Sequence, residues 1–340
     1  MAVDWEVARN DRNQAETVVR HAWTSTRCQI GFREVIAFVA RRLVLSAVSI
    51  LGASFVTFVI SRLSGDPVTL MLPPSAPEDV VVAMRVELGL DKPLFQQYLI
   101  FLNRALHGDF GNSYHWEVPA LQVVLDRLPA TIELALAGLC FAIAIAVPLG
   151  VLSAVHRGGW IDHVAKLFAM LGQAMPSFWL GLLLIVVFAI HLGWLPAFGY
   201  GGISHLIMPA VALGWYPVAA MTRMLRSSML DVLDSDYILV ERSLGIASYK
   251  VIWKYALRNA AIPLITIIGV YFATMLSGAF IVEVVFAWPG LGRAVVDAVL
   301  SRDFPVVQAG VLVIATLFVV SNLLVDLSYG IIDPRIRNVR

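Results

Sequence analysis

Six long apolar runs divide the chain, and polar stretches separate them. A helix that crosses a bilayer needs roughly 20 mostly apolar residues, and the runs are of about this length. Backbone groups in lipid must bond within their own segment, so the runs predict helices; barrel strands would alternate apolar and polar residues, and these runs do not. The chain is therefore predicted to be all-α, a polytopic membrane protein whose six transmembrane helices lie at Leu43–Ile60, Leu134–Val155, Leu167–Leu192, Leu206–Thr222, Ala260–Val282 and Phe304–Val325.

Two of these spans come from one uncharged stretch. No Lys, Arg, Asp or Glu occurs between Leu167 and Thr222. The Gly-, Pro- and aromatic-rich segment 193–202 breaks this stretch into the third and fourth spans. The first span is too long for a typical secretory signal and has no convincing cleavage site, which predicts that it is retained.

The polar stretches set the predicted domain organisation. Residues 1–32 form an N-terminal extension, residues 33–337 the transmembrane domain and residues 338–340 a tail. Residues 63–130 are the longest segment outside the membrane; a segment of about 70 residues is marginal as an independent domain, so it is expected to pack on the outer ends of the spans. Residues 223–259 form the second long loop.

Lys and Arg predict the orientation, because they accumulate on the cytoplasmic side of membrane proteins. If the N-terminus is cytoplasmic, the inside segments carry 18 of the 25 Lys and Arg residues. Five of the seven outside lie in residues 61–130, the long first loop, where the rule is weakest. Both termini and loop 223–259 are therefore predicted to be cytoplasmic, with residues 63–130 outside.

Composition supports a membrane protein and excludes several other classes. The chain is 59% hydrophobic and 14% charged, against roughly 45–50% and 25% in soluble domains. The net charge of +1 gives no indication of nucleic-acid binding, and Cys28 and Cys140 do not suggest a disulfide framework. No phosphate-binding loop, zinc-protease motif or CxxC pair occurs, so the chain is predicted not to be an enzyme, to hydrolyse no ATP alone and to hold no metal.

Loop 223–259 has the pattern of two short helices. Asp234, Ser235 and Asp236 are suitable N-caps for the first; Tyr237, Val240 and Leu244 then share one helical face, and Gly245 is a suitable end. The second helix is predicted over Tyr249–Asn259, with Lys250, Lys254 and Arg258. Such a loop can dock into a groove of a partner protein, or lie on lipid headgroups as an ordinary interfacial helix; the pattern alone leaves both open.

The loop resembles the "EAA" loop of binding-protein-dependent ATP-binding-cassette permeases, and specifically the first-permease type of the dipeptide/oligopeptide/nickel group. The resemblance covers Arg33 to Arg337. Within the loop the matching residues are Asp236, Tyr237, Ile238, Gly245, Ala256, Leu257, Arg258, Asn259, Ala260, Ile262 and Pro263. Elsewhere they are the segments 64–67, 88–94, 108–111, 128–134, 176–179, 192–196, 288–293 and 333–337, which occur in the family's order.

Three departures from the family pattern stand out. The basic run that usually precedes the loop glycine is here Leu239 to Leu244 and contains Glu241, which alters the docking face. Ser64 replaces the usual proline. The residues before Arg33 have no counterpart, so the resemblance gives them no role.

The resemblance implies a type I ABC importer permease fold and a five-part importer in the bacterial inner membrane. A second homologous permease would complete a heterodimer that forms the channel, two cytoplasmic ATPase subunits would bind ATP and Mg, and an external binding protein would deliver substrate. This chain itself would bind no cofactor. Di/oligopeptides are the expected cargo, with nickel chelates, glutathione and small glycosides as alternatives.

Two sets of site residues follow from the resemblance and the sequence pattern. Coupling to the ATPases is expected at Asp236, Tyr237, Val240, Glu241, Leu244, Gly245 and Ala247. The pathway or its gate is expected at Ser277, Gly278, Glu283, Trp288, Pro289 and Gly290. Glu283 by itself has two interpretations: it lines the outer mouth, or it binds a neighbouring backbone.

Two other classes of function remain as rivals. An ion-driven secondary transporter is disfavoured because the spans lack charged residues at mid-membrane. A membrane anchor or assembly subunit would not need the amphipathic loop.

Overall fold

The computed structural model describes residues 32–65, 68, 72, 75–87 and 89–332. The chain divides into two units, Met1–Leu45 with Arg340, and Ser46–Val339. Of the first unit only the beginning of helix α1, from Phe32, is described. The predicted extension 1–32, apart from Phe32, and the predicted tail 338–340 lie outside the described residues and stay predictions.

The described residues are mostly helical and contain no β-strand; one isolated bridge joins Asn112 and Pro119. Two helices continue into π-helical segments, Ile185–His191 after α6 and Val251–Ala256 after α9. The α-helices in chain order are α1 Phe32–Leu63, α2 Glu78–Glu87, α3 Leu94–Leu106, α4 Ala120–Val155, α5 Trp160–Ala174, α6 Ser177–Leu184, α7 Ile203–Leu233, α8 Asp236–Ser243, α9 Ser248–Lys250, α10 Leu257–Gly278, α11 Phe280–Val285, α12 Leu291–Leu300 and α13 Phe304–Ile332.

In the described part of the chain, five helices are long and apolar enough to cross a membrane, and a bent pair brings the number to six. The all-α, polytopic prediction is therefore confirmed. The prediction of one continuous third span over Leu167–Leu192 is wrong, because α5 and the helix Ser177–His191 meet at an angle of 105°. Pro176 explains the break: it has no N–H to donate, and it disfavours helical geometry in the preceding residue. Met175 accordingly has an extended backbone with φ −94° and ψ 118°.

Two helices run well beyond the predicted spans. Helix α4 begins at Ala120 rather than Leu134, and α7 ends at Leu233 rather than Thr222. Segment 63–130 therefore contains α2, α3 and the beginning of α4. Apolar runs locate the part of a helix that suits lipid, and they miss polar turns that continue the same helix.

The main hydrophobic core lies between α4 and α7, which pack along most of their length. Glycines allow this approach: a Cβ on Gly214 would overlap the carbonyl oxygen of Gly138. Small residues at helix interfaces are the usual means by which membrane helices approach closely. A second, smaller core joins the beginning of α4 to α12 and α13.

Candidate functional site

Helix α8 is the first of the two predicted loop helices, and it begins and ends where the sequence indicates. Ser235 takes the N-cap position with an extended backbone, and its hydroxyl donates to the Val232 carbonyl oxygen instead of capping the helix. At the other end Gly245 has φ +75°, its N–H donates to Arg242 O, and Ile246 N–H donates to Glu241 O. This pair of bonds around a left-handed glycine is a Schellman motif. The predicted helix end at Gly245 is confirmed.

One side of α8 is anchored to the rest of the protein. Ile238 has no exposed surface and belongs to the main core. The Tyr237 hydroxyl accepts a hydrogen bond from the side-chain nitrogen of Asn259 at 2.8 Å, which connects α8 to the beginning of α10. Ile238 therefore connects α8 to the core, and Tyr237 connects it to α10.

The other side of α8 is apolar and uncovered. Leu239, Val240 and Leu244 are 58%, 57% and 72% exposed, and we call these three residues the apolar face of α8. Tyr237, predicted to share this face, is 39% exposed. The remaining residues predicted for coupling lie around the face: Asp236, Gly245 and Ala247 are exposed and Glu241 is half-buried.

An open depression of about 700 Å³ lies beside the end of α8. Gly245, Ala247 and Tyr249 line it, together with Lys250 and Lys254 among others. The predicted second helix, Tyr249–Asn259, is not a separate element: α9 begins at Ser248 and runs through the π-helical segment into α10. The loop thus contains one short helix between two long ones.

The predicted pathway residues fall into two groups. Glu283 has no exposed surface; its carboxylate accepts from the Thr131 hydroxyl at 2.6 Å and from the Arg293 N–H at 2.9 Å. Thr131 in turn accepts from the Leu291 N–H at 2.8 Å. Of the two interpretations of Glu283, the structure has the one in which it binds neighbouring backbone.

Trp288 closes the same cluster. It has no exposed surface, its indole N–H donates to Ala130 O at 2.8 Å, and its ring centre lies 4.8 Å from that of Tyr200. Gly290 is buried and Pro289 is half-buried. We call residues 283–293 the Trp288 turn. A Cβ on Gly290 would overlap the Glu283 carboxylate, so the turn needs a glycine there for space.

Ser277 and Gly278 lie apart from these contacts, at the end of α10. Ser277 is half-buried, and its hydroxyl donates to Thr274 O at 3.1 Å. Gly278 is exposed, and a Cβ there would meet nothing within 4 Å. Whether they line a pathway stays a prediction.

A buried ionic cluster was not expected from the sequence. Asp162, at the beginning of α5, has no exposed surface and accepts from Arg226 of α7 at 2.7 and 2.9 Å. Ser153 and Lys166 also bind it, at 2.7 and 2.9 Å. A buried carboxylate requires such partners. The cluster fixes the beginning of α5 to the end of α4 and to α7.

Segment 107–119 is held by two aspartates. Asp109 accepts from Arg104 Nε at 2.8 Å and from the Gly111 N–H at 2.9 Å, and these donors hold the pKa of its carboxyl below the ordinary value. Asp303, buried before α13, accepts from the Ser113 hydroxyl and from the His115 N–H. Together they fix the loop that leads into α4.

Comparison with known proteins gives the family. The model "Binding-protein-dependent transport system inner membrane component" matches residues 146–338, and the corresponding N-terminal model matches residues 35–135. A dipeptide transport system permease protein of Escherichia coli (strain K12) is 39% identical over 338 residues, which cover 89% of this chain and 99% of the relative. A di/tripeptide transport system permease protein of Pseudomonas aeruginosa (strain UCBPP-PA14) is 38% identical over 336 residues, covering 90% and 100%.

Among solved structures, an inward-facing methionine ABC transporter overlaps with a TM-score of 0.48 at 17% identity, covering 61% of this chain and 96% of that one. The structural overlap is thus loose, whereas the sequence matches extend over nearly the whole chain. The chain is a multi-pass membrane protein and belongs to the family of inner membrane components of binding-protein-dependent transport systems.

Proposed function

We propose that this chain is the permease subunit of an ATP-driven importer of di/oligopeptides. The relatives that match over most of the chain are named as dipeptide and di/tripeptide permeases, which supports this cargo over nickel chelates, glutathione or small glycosides. A second homologous permease completes the route, and an external binding protein delivers the peptide. Two ATPase subunits bind ATP and Mg, and this chain hydrolyses none.

The observation that carries the proposal is the apolar face of α8. Three large apolar side chains there are more than half exposed, although Ile238 on the opposite side is fully buried. Clustered exposed apolar groups mark interaction sites. We assign this face to contact with an ATPase subunit. The residues Leu239 to Leu244, which depart from the family pattern, determine how that contact fits in detail.

The attachment of α8 provides a mechanical connection. Ile238 binds α8 to the core between α4 and α7, and Tyr237 binds it to Asn259. When ATP binding closes the ATPases, a movement of α8 is passed to both spans that flank the loop. Transport requires two states with different free energies of coupling to nucleotide and substrate, and α8 is where that difference is transmitted.

The test is Gly245→Asp with Gly193→Asp as its matched control. Both glycines have left-handed backbones, φ +75° and +62°, and neither has an atom within 4 Å of an added Cβ. The backbone strain is therefore similar, on the order of 1 kcal/mol in each case. Only Gly245 lies beside the apolar face of α8.

In reconstituted complexes we expect Gly245→Asp to abolish peptide uptake and substrate-stimulated ATP hydrolysis, while the chain still inserts into the membrane. Gly193→Asp should retain both activities. Wild-type uptake by Gly245→Asp with its ATPases attached would show that α8 is not the coupling element and would reopen the ion-driven alternative.

The proposed orientation places both termini and α8 in the cytoplasm of a bacterial cell, and residues 63–130 outside its inner membrane. A single cysteine near Pro77 should react with an impermeant reagent in intact cells, and one near Ser248 should not. Cys28 and Cys140 must first be replaced, since Cys140 is exposed. Labelling at Ser248 with protection at Pro77 would reverse the orientation.

A further inference from the structure

Two spans carry polar side chains on a shared, partly exposed surface. Helices α7 and α10 pack against each other, and the rings of Tyr216 and Tyr271 meet with their centres 6.0 Å apart and their planes at 73°. Tyr216 is 50% exposed. Both helices belong to segments long and apolar enough to cross the membrane.

Arg223 lies on the same surface. It is seven residues after Tyr216, two turns along one face of α7. The Cα–Cβ bonds of a helix tilt toward its N-terminus, so the Arg223 side chain leaves the backbone on the side of the tyrosines. Its charge acts on the Tyr271 hydroxyl across this surface.

No acidic side chain of the described residues forms an ion pair with Arg223, which is exposed. Arg226, one turn further along, differs: its side chain is 20% exposed and bound twice to Asp162. The two arginine side chains therefore differ in role. Arg226 satisfies a buried charge, whereas Arg223 presents its donors to open space.

The side of α10 that carries Tyr271 also carries a second hydroxyl. Tyr271, Thr274 and Gly278 follow one another at positions i, i+3 and i+7, on one face of the helix. Thr274 is exposed, and its hydroxyl donates to the carbonyl oxygen of Val270 at 2.8 Å. The hydroxyls of the two tyrosines lie inside the spans, where they face protein or a water-filled route in preference to hydrocarbon. Arg223 is the first residue after the predicted fourth span, so it lies at the cytoplasmic end of the same surface.

We propose that Arg223, Tyr216 and Tyr271 form a subsite on the translocation route that binds the carboxylate of a peptide in transit. This rests on the proposed peptide cargo and adds the group on the cargo that is recognised. The planar guanidinium has paired donors that match a carboxylate, and the two phenol hydroxyls can donate beside it. A single exposed cation binds weakly enough to release its ligand, as transit requires.

The main competing source of an anion is a lipid headgroup. The test therefore varies cargo and lipid separately. Complete complexes in proteoliposomes are assayed for uptake of Ala-Ala and of its C-terminal amide, at a range of concentrations, in vesicles with and without anionic phosphatidylglycerol. The binding protein is the same throughout, so a change of preference on mutation belongs to the permease.

We expect Arg223→Gln to reduce uptake of Ala-Ala about tenfold or more relative to its amide, the effect of losing a charged hydrogen-bond partner. Uptake of the amide should be retained, which shows that the variant folds and assembles. Arg223→Lys should recover part of the preference, and Tyr271→Phe should lose part of it. Arg62→Gln, a change of cation at the end of a different span, should leave the preference unchanged.

An unchanged preference for Ala-Ala in Arg223→Gln would overturn the subsite. So would a loss of uptake that is equal for both peptides, or one that depends on phosphatidylglycerol and not on the peptide carboxylate. If the wild-type complex carries neither peptide while its ATPases remain coupled, the proposed peptide cargo falls and the subsite falls with it.

Discussion

The apolar face of α8 and the Trp288 turn both contain residues that are predicted from the sequence to be functional. The structure exposes the first set and buries the second. Val240 and Leu244 are more than half exposed, whereas Glu283 and Trp288 have no exposed surface. Every polar group of the turn described above has a partner in the same chain. The comparison teaches that the Trp288 turn is complete within the described part of the chain, whereas the apolar face of α8 is left uncovered there and, under the proposed function, is covered by an ATPase subunit.

The two regions should therefore respond differently to mutation. Changes in the Trp288 turn act on the stability of the chain itself, through overlap or through donors left unpaired. Changes on α8 act on assembly and coupling, with little effect on stability. Four substitutions follow in decreasing order of their expected effect on stability. Three of them test this distinction, and Asp109→Asn gives a reference from the loop that leads into α4.

The largest effect is expected from Gly290→Ala. The new methyl would overlap the Glu283 carboxylate. To relieve this overlap, the Glu283 side chain would have to give up its hydrogen bonds to Thr131 and Arg293. Overpacking of this kind costs typically about 1–3 kcal/mol and the lost hydrogen bonds add to it. Thermal unfolding of the purified chain in detergent should show a large decrease in Tm. Gly245→Ala adds only backbone strain, so its free energy of unfolding should decrease by about 1 kcal/mol, with a correspondingly smaller change in Tm. Equal decreases in Tm for the two variants would contradict the comparison.

Glu283→Gln is expected to have the next largest effect. The carboxylate accepts from two donors, and the amide can offer only one acceptor oxygen, so one donor loses its partner. The expected cost is about 1–3 kcal/mol. Unfolding followed by tryptophan fluorescence reports on it, because buried Trp288 belongs to the same turn. A variant as stable as the wild type would show that the turn does not depend on this charge.

Asp109→Asn should have a smaller effect that depends on pH. Because the pKa of Asp109 is lowered in the folded state, its stabilising contribution is present at neutral pH and is lost as pH falls through the folded pKa. The pair with Arg104 is about half exposed, so the contribution is below about 1 kcal/mol. The difference in Tm between wild type and variant should be small at pH 7 and should shrink in acid below the ordinary carboxyl pKa of about 3.9. A difference that grows in acid would contradict the sign.

The smallest effect on stability is expected from Leu244→Glu, because the side chain is 72% exposed. Surface substitutions usually change stability by no more than about 0.5 kcal/mol. The same change should nevertheless prevent co-purification of the ATPase subunits, since it places a charge on the apolar face of α8. Leu106→Glu serves as a control, since Leu106 is 78% exposed and lies on α3. ATPase subunits retained by Leu244→Glu would remove α8 from the contact.

Local sequence signals predicted a large part of this arrangement. Apolar runs placed the spans, and the glycine at 245 placed the end of α8, because both depend on neighbouring residues. Pro176 is a local signal as well, and in the structure it outweighs the continuous apolar run around it, because proline disfavours helical geometry in the preceding residue.

Long-range pairing could not be predicted in this way. Asp162 and Arg226 are separated by 64 positions, and only the packing of α5 on α7 brings them together. For Glu283 the sequence allowed two interpretations, because its burial depends on Thr131, which lies 152 positions earlier. The surface formed by Tyr216, Tyr271 and Arg223 also depends on long-range packing, because its residues come from two different spans.

The length of α7 sets how far a small rotation can reach. Its 31 residues form a rod about 46 Å long, and α8 follows directly after Asp234 and Ser235. A tilt of about 10° around the far end of this rod would carry α8 through about 8 Å, more than the pitch of one helical turn. Such a tilt would make α7 a lever, with short displacements near Ile203 and long displacements at α8.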